Sequence, residues 1–190
     1  MILRVTLPHR HDLPQLWTAL GLTGMGAELG VAAGAYSEAI LRRWPGTLLS
    51  IDAWAGDRGH DQAQAEAVRR RLAPWGERSR ILPVPFEEAR DQIPDGSLDW
   101  CYIDGYAHTG NLDGETFRAW WRKVRVGGLI GGHDYSRQWP RNWRAVNRFV
   151  EEIGSEEILV TGDQPSSWMI RRTTREPSAH RPPAPRGMTF

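Results

Sequence analysis

MGAELGVAAGAYSEAILRRWPGTLLSID, residues 25–52, runs from a short apolar segment through a small-residue loop and an amphipathic helical pattern to a second apolar segment ending on a carboxylate. Periodicities in that order describe a βαβ unit of the nucleotide-binding kind. Its loop, residues 28–34, opens on an acid and sets Gly30, Ala32 and Gly34 at alternate positions, so a ligand meets the backbone with little side-chain obstruction. The acid, Glu28, precedes the glycines, where a cation could use it.

That placement separates two cofactor classes. Dinucleotide loops read G-x-G-x-x-G, with helix N–H groups facing a pyrophosphate and a ribose-binding acid roughly 20 residues on. Counted from Gly30, that spacing would need small residues at Ala32 and Ala35, leaves Glu28 without a task and sets a carboxylate against a pyrophosphate. The segment instead resembles motif I of class I S-adenosylmethionine (SAM) dependent methyltransferases, E/D-x-G-x-G-x-G, with Ala32 at the middle glycine. The resemblance implies that Glu28, Gly30, Val31, Ala32 and Gly34 hold the methionine end of SAM and that Asp52 binds the ribose diol. Tyr36 and Ser37, at the helix start, contact the SAM carboxylate or cap the helix. Pro85 and Phe86 after the third strand, with Ala53 and Trp54, supply the apolar slot an adenine needs.

A chain of 190 residues with 40% hydrophobic content can bury one core. A net charge of +1 gives no overall bias toward nucleic acid or membrane, and no apolar run approaches the roughly 20 residues of a bilayer span. Residues 1–7 are too short and interrupted for a signal-peptide core, and the single cysteine, Cys101, cannot form an internal disulfide, so the expected compartment is the cytoplasm. Cys101 falls within an apolar strand and reads as an inert buried thiol. Among the 10 tryptophans, Trp120 and Trp121 read as helical core, whereas Trp54, Trp139 and Trp143 read as pocket wall.

Downstream, strand-like runs at 25–31, 47–53, 79–84, 98–104 and 127–132 alternate with helical stripes: Ala65, Val68, Leu72 and Trp75; Phe117, Trp120, Trp121 and Val124; Trp143, Val146, Val150 and Ile153. Alternation of this kind predicts a parallel sheet with helices on both faces. Pro94-Asp95-Gly96 and Gly127-Gly128 are turn signals at the hand-over from helix to strand. Residues 157–161 and 168–172, separated by GDQPSS, read as a closing hairpin. The expected fold is therefore α/β: a Rossmann-like, seven-stranded class I methyltransferase sheet, mostly parallel with a C-terminal antiparallel hairpin. Residues 1–172 form the expected domain, with 1–24 as an N-terminal cap containing a short helix near 12–20. Residues 173–190, proline-rich and poor in apolar material, read as a mobile tail.

In open α/β sheets ligands collect beyond the carboxyl ends of the strands. The fourth predicted strand ends on Asp104 and the fifth on His133 and Asp134, with His108 in the loop after the fourth. IDGYAHTG (103–110) and AWWRKVRVGGLIGGHDY (119–135) resemble the small bacterial class I enzymes grouped as methyltransferase family 24, whose relatives include metal-dependent O-methyltransferases. By position the resemblance implies a divalent-cation set of Asp104, His133 and Asp134, with Asp104 also expected to act in catalysis and to border the cofactor. An imidazole in place of the usual oxygen ligand widens the choice from magnesium to manganese, iron or zinc. The expected chemistry is in-line methyl transfer to a hydroxyl of a small-molecule acceptor. Either His133 or His108 serves as base, or a metal at Asp104 and Asp134 lowers the acceptor pKa from the phenolic value of about 10.

Amino methylation of nucleobases is disfavoured because Gly105-Tyr106 follows Asp104, with no Pro-Pro-aromatic sequence. Three alternatives stay open: a non-catalytic binder of SAM or S-adenosylhomocysteine (SAH), an NAD enzyme with a degenerate loop, and an RNA-directed methyltransferase using the arginines of the tail. Nucleic acid is disfavoured as a partner, since the tail lacks interleaved aromatics. The oligomeric state is open, a homodimer included.

Overall fold

The chain begins with β1 (Leu3–Leu7) and α1 (Leu13–Ala19), which Pro14 opens from within its first turn. The computed structural model describes residues 3–56, 59–104, 110 and 114–177. The quoted stretch folds into β2 (Met25–Leu29), α2 (Ala35–Arg43) and β3 (Thr47–Ile51), with β2 and β3 parallel in a register running from Met25 opposite Thr47 to Leu29 opposite Ile51. Arg42 and Arg43 complement the dipole at the C-terminal end of α2. The helix stops because Pro45 forces the residue before it into an extended conformation, and Trp44 has φ −121° and ψ 131°.

The succession continues with α3 (Gln62–Leu72), β4 (Ser79–Leu82), α4 (Phe86–Gln92), β5 (Leu98–Ile103), α5 (Glu115–Trp120) and β6 (Val124–Tyr135). It ends with α6 (Pro140–Glu152), β7 (Glu157–Thr161) and β8 (Ser166–Arg171). Asp61 caps α3 by accepting from the Gln64 N–H at 2.9 Å. The strands form one sheet in the order β1-β7-β8-β6-β5-β2-β3-β4. All neighbours are parallel except β8, which runs antiparallel to both β6 and β7.

Two expectations change. The sheet has eight strands rather than seven, because Leu3–Leu7 extends it, pairing parallel with β7 from Leu3 opposite Glu157 to Leu7 opposite Thr161. Leu3-Arg4-Val5-Thr6-Leu7 alternates apolar and polar residues as a strand does, yet its apolar positions are not sealed: Leu3 is 55% and Val5 42% exposed, as an edge strand permits. Gly127-Gly128 lies inside β6, not in a turn before it. The strand begins at Val124, and a Cβ on Gly128 would stand 2.4 Å from the Asp99 carbonyl oxygen, so the strand irregularity there is a packing requirement.

Helices cover both faces. On one, α1, α2 and α3 bury Trp17, Ile40, Leu41, Trp44, Val68 and Leu72 with Trp100 and Tyr102 of β5, and the Trp17 and Trp100 rings stack at 3.9 Å. On the other, α4, α5 and α6 bury Phe86, Phe117, Trp120, Val146, Phe149 and Val150 with Cys101, Ile130 and Trp168. Full burial of a phenylalanine such as Phe117 or Phe149 contributes about 2–3 kcal/mol. Residues 173–176, the start of the expected tail, are anchored: the Trp121 indole donates to the Arg175 carbonyl at 3.0 Å, and Arg122 and Arg172 both pair with Glu176. Among the described residues no helix is long and apolar enough to cross a membrane.

Candidate functional site

The carboxyl ends of β2, β3, β5 and β6 adjoin one another. The Gly30 N–H donates to the Ile51 carbonyl at 2.9 Å and the Asp104 N–H to the Leu29 carbonyl at 2.7 Å, so the loop after β2 sits between Asp52 and Asp104. Asp52 is the staple of that loop. One of its carboxylate oxygens accepts from the Val31 and Ala32 N–H groups at 2.9 and 3.0 Å, the other from the Trp54 N–H at 3.2 Å. Its side chain keeps 13% exposure, with His60 Nδ1 3.8 Å away. Ala32, at the middle-glycine position, has φ +48°, a left-handed conformation that glycine adopts without strain and alanine does not.

Trp54 is placed differently from expectation. It is 1% exposed, lies in the core cluster with Val31, Ala65 and Val68, and donates its indole N–H to the Ala32 carbonyl at 3.1 Å. The ring therefore braces the loop from beneath instead of walling a pocket. Phe86 likewise belongs to the core beside Leu29 and Ile51, while Pro85 at the start of α4 is exposed and Ala53 half-buried. Of the four residues expected around adenine, two keep surface to offer. A large apolar side chain at a strand end reads the same whether it lines a pocket or closes the core under it.

Glu28 is also turned inward. It is 1% exposed, and Ser37, wholly buried, donates its hydroxyl to the Glu28 carboxylate while accepting from Ser50 at 3.2 Å. Burial pushes the Glu28 carboxyl up to about 8, against the pull of the Ser37 hydrogen bond. The expectation that Glu28 faces a ligand's positive charge therefore meets a carboxyl held mostly neutral at pH 7, and the Ser37 side chain is not available to a SAM carboxylate. Tyr36 is 5% exposed; its hydroxyl donates to the Arg10 carbonyl at 3.0 Å. Of the loop, Gly30 and Ala32 remain half-buried and Ala33 exposed, a backbone surface at the mouth of the site.

Asp104, His133 and Asp134 do converge, with one ligand atom from each inside a 4.8 Å group. His133 Nδ1 lies 3.5 Å from an Asp104 oxygen and 3.3 Å from an Asp134 oxygen. Asp134 has φ +61°, a left-handed conformation that aspartate tolerates better than most residues and that aims its carboxylate back at the imidazole. Burial pushes the Asp104 carboxyl up from its ordinary value, while His133 and Arg10 pull it down. His108 lies outside the described residues.

Arg10 is the participant the sequence reading missed. It sits in a single 3-10 turn, Arg10–Asp12, and its Nη1 donates to the second Asp104 oxygen at 2.8 Å. Its guanidinium lies 4.5 Å over the Tyr36 ring, and its N–H donates to Asp163 at 3.3 Å. The run His9-Arg10-His11-Asp12 was the available signal. Nothing local, however, shows that a turn after the edge strand returns to the end of a central one.

The expected metal set is close enough to share an ion, but Asp104 already has a cationic partner. One Asp104 oxygen carries the Arg10 guanidinium, while the other and an Asp134 oxygen stand 3.5 and 3.3 Å from His133 Nδ1. With Arg10 in place, a divalent ion here would have to share the Asp104 carboxylate with a fixed positive charge.

A family described as a methyltransferase domain matches residues 25–135. The cofactor-bound protein Rv0187 of MTB is 16% identical, with 87% of this chain and 79% of that one aligned at a TM-score of 0.67. An O-methyltransferase from Bacillus cereus, solved with SAH, is 18% identical over 84% of this chain and 78% of that one, with a TM-score of 0.64. The O-methyltransferase TomG from Streptomyces achromogenes, solved with SAM, is 16% identical over 86% and 79%, with a TM-score of 0.62. At these identities the likeness establishes the fold. No curated protein matches the chain.

Proposed function

The chain belongs to the methyltransferase-domain family, and from that premise we propose that it transfers the methyl group of SAM to a hydroxyl oxygen of a small molecule. The observation that carries this reading is the contact between Asp104 and the motif loop: the Asp104 N–H bonds the Leu29 carbonyl, so a carboxylate with a histidine beside it stands at the rim of the loop that would cradle SAM. The solved B. cereus and S. achromogenes O-methyltransferases of the same fold hold SAH and SAM, which supports that cofactor.

The sulfonium already makes the methyl carbon electrophilic, so the protein's part is to align three atoms in a line and to take a proton from the acceptor. Gly30, Ala32 and Ala33 would receive the cofactor along the backbone, and Asp52 would hold the loop in shape while offering its exposed edge to the ribose. His133 would be the base: with a proton on Nδ1 facing Asp104 and Asp134, 3.5 and 3.3 Å away, its Nε2 would carry the lone pair. The acceptor oxygen attacks the methyl carbon, the carbon–sulfur bond breaks with its electron pair going to sulfur, and the acceptor proton goes to Nε2. Asp104 and Asp134 stabilise the imidazolium that results.

Calorimetric titration with SAM, SAH and NAD tests the cofactor, and mass spectrometry of a catechol and sugar-alcohol panel incubated with SAM tests the transfer. Binding of SAM and SAH and the appearance of a singly methylated product are expected. Tight NAD binding without SAM binding would end the proposal.

A further inference from the structure

Arg10 reaches Asp104 from the far edge of the sheet, β1 lying four strands from β5 in the strand order. Separate contacts hold it there: the Arg10 N–H on Asp163, its carbonyl under the Tyr36 hydroxyl, its guanidinium over the Tyr36 ring, and its Nη1 on Asp104. The Arg10 side chain is only 24% exposed, and it pairs with an Asp104 side chain of equal exposure. A guanidinium cannot lose its charge near neutrality and is weakly hydrated, which suits it to a permanent place among buried acids. A divalent ion on Asp104, His133 and Asp134 would have to share the Asp104 carboxylate with that cation.

We infer that Arg10 is the resident cation of this cluster, occupying Asp104 in place of a divalent ion, so that the metal site latent in Asp104, His133 and Asp134 opens only when Arg10 is removed. Like-charge repulsion makes the two occupants mutually exclusive. For the transfer proposed above, on which this consequence rests, the acceptor hydroxyl is activated without a divalent ion and Arg10 supplies the positive charge beside it.

The test is titration of the full chain with manganese(II) chloride, followed by calorimetry and by loss of the free-ion paramagnetic resonance signal. Wild type is expected to show no saturable binding below millimolar concentration. Arg10→Gln should bind one ion about 10- to 100-fold more tightly, the range over which neighbours of metal ligands act. Arg10→Lys should stay as weak as wild type, and Arg10→Gln with Asp104→Asn should lose the gained site. Micromolar, stoichiometric binding by wild type overturns the inference, as does equal binding by wild type and Arg10→Gln. If circular dichroism shows Arg10→Gln unfolded, Arg10→Met takes its place with the same expected gain. Wild-type SAM affinity is measured alongside: its absence defeats the functional proposal and leaves the manganese result standing, while equal manganese binding defeats this inference alone.

Discussion

The Ser37 hydroxyl donates to the Glu28 carboxylate, and both side chains are sealed from solvent. With the Glu28 carboxyl raised from 4.5 to about 8 by burial, the folded chain keeps a proton that the unfolded chain has lost. Stability should therefore be greatest below the unfolded value and fall as pH rises through this interval, with a slope approaching 1.4 kcal/mol per unit, about the cost of one proton, and level off above it. Glu28→Gln, which imitates the protonated acid, should flatten that fall. Urea denaturation at pH 5, 6, 7 and 8, on the order of one unit apart, compares the two; parallel slopes would contradict the burial argument.

Ala32 sits at φ +48°. Ala32→Gly should relieve the left-handed strain, partly offset by greater freedom in the unfolded chain, for a net gain of about 0.5 kcal/mol. Ala32→Val, β-branched in the same conformation, should lose about 1–3 kcal/mol. Thermal melts that rank valine at or above alanine would show that the loop does not hold this conformation.

Asp52 accepts from three backbone N–H groups. Asp52→Ala leaves those donors to solvent and should cost about 2–3 kcal/mol in stability while weakening SAM binding by about tenfold or more. Asp52→Asn keeps an acceptor and should recover part of both. Calorimetry with SAM at wild-type strength for Asp52→Ala would refute its place at the site.

Asp104→Ala should abolish turnover with SAM affinity held within a few-fold, since its partners are Arg10 and His133 on the acceptor side. Single-turnover methyl transfer measured at saturating SAM makes the separation. Activity equal to wild type would remove Asp104 from the chemistry.

The sheet was legible in the sequence wherever a strand is central, because burial on both faces writes a nearly continuous apolar run, as in Leu98–Ile103, buried at every position and interrupted only by Asp99. Leu3–Leu7 was missed although LRVTL alternates with the period of a strand, since five residues ahead of the first βαβ unit carry no sign of the distant β7 they pair with. The convergence of Asp104, His133 and Asp134 was legible because strand ends in parallel order must adjoin. The orientation of Glu28, Ser37 and Trp54 was not, because a motif fixes where a residue sits along the chain and not which way its side chain turns. Arg10 depended on a contact spanning 94 residues, which no local spacing records.

The pairing of Leu3 with Glu157 sets an order on assembly. β1 finds its neighbour only once the chain has been made through β7, and contacts of such separation form late because the loop they close is long. The turn that carries Arg10 docks with that strand. A nascent or truncated chain lacking β7 can thus build the βαβ half while Asp104 still waits for its counter-charge, so the Arg10–Asp104 pair is completed only after β7 has been made.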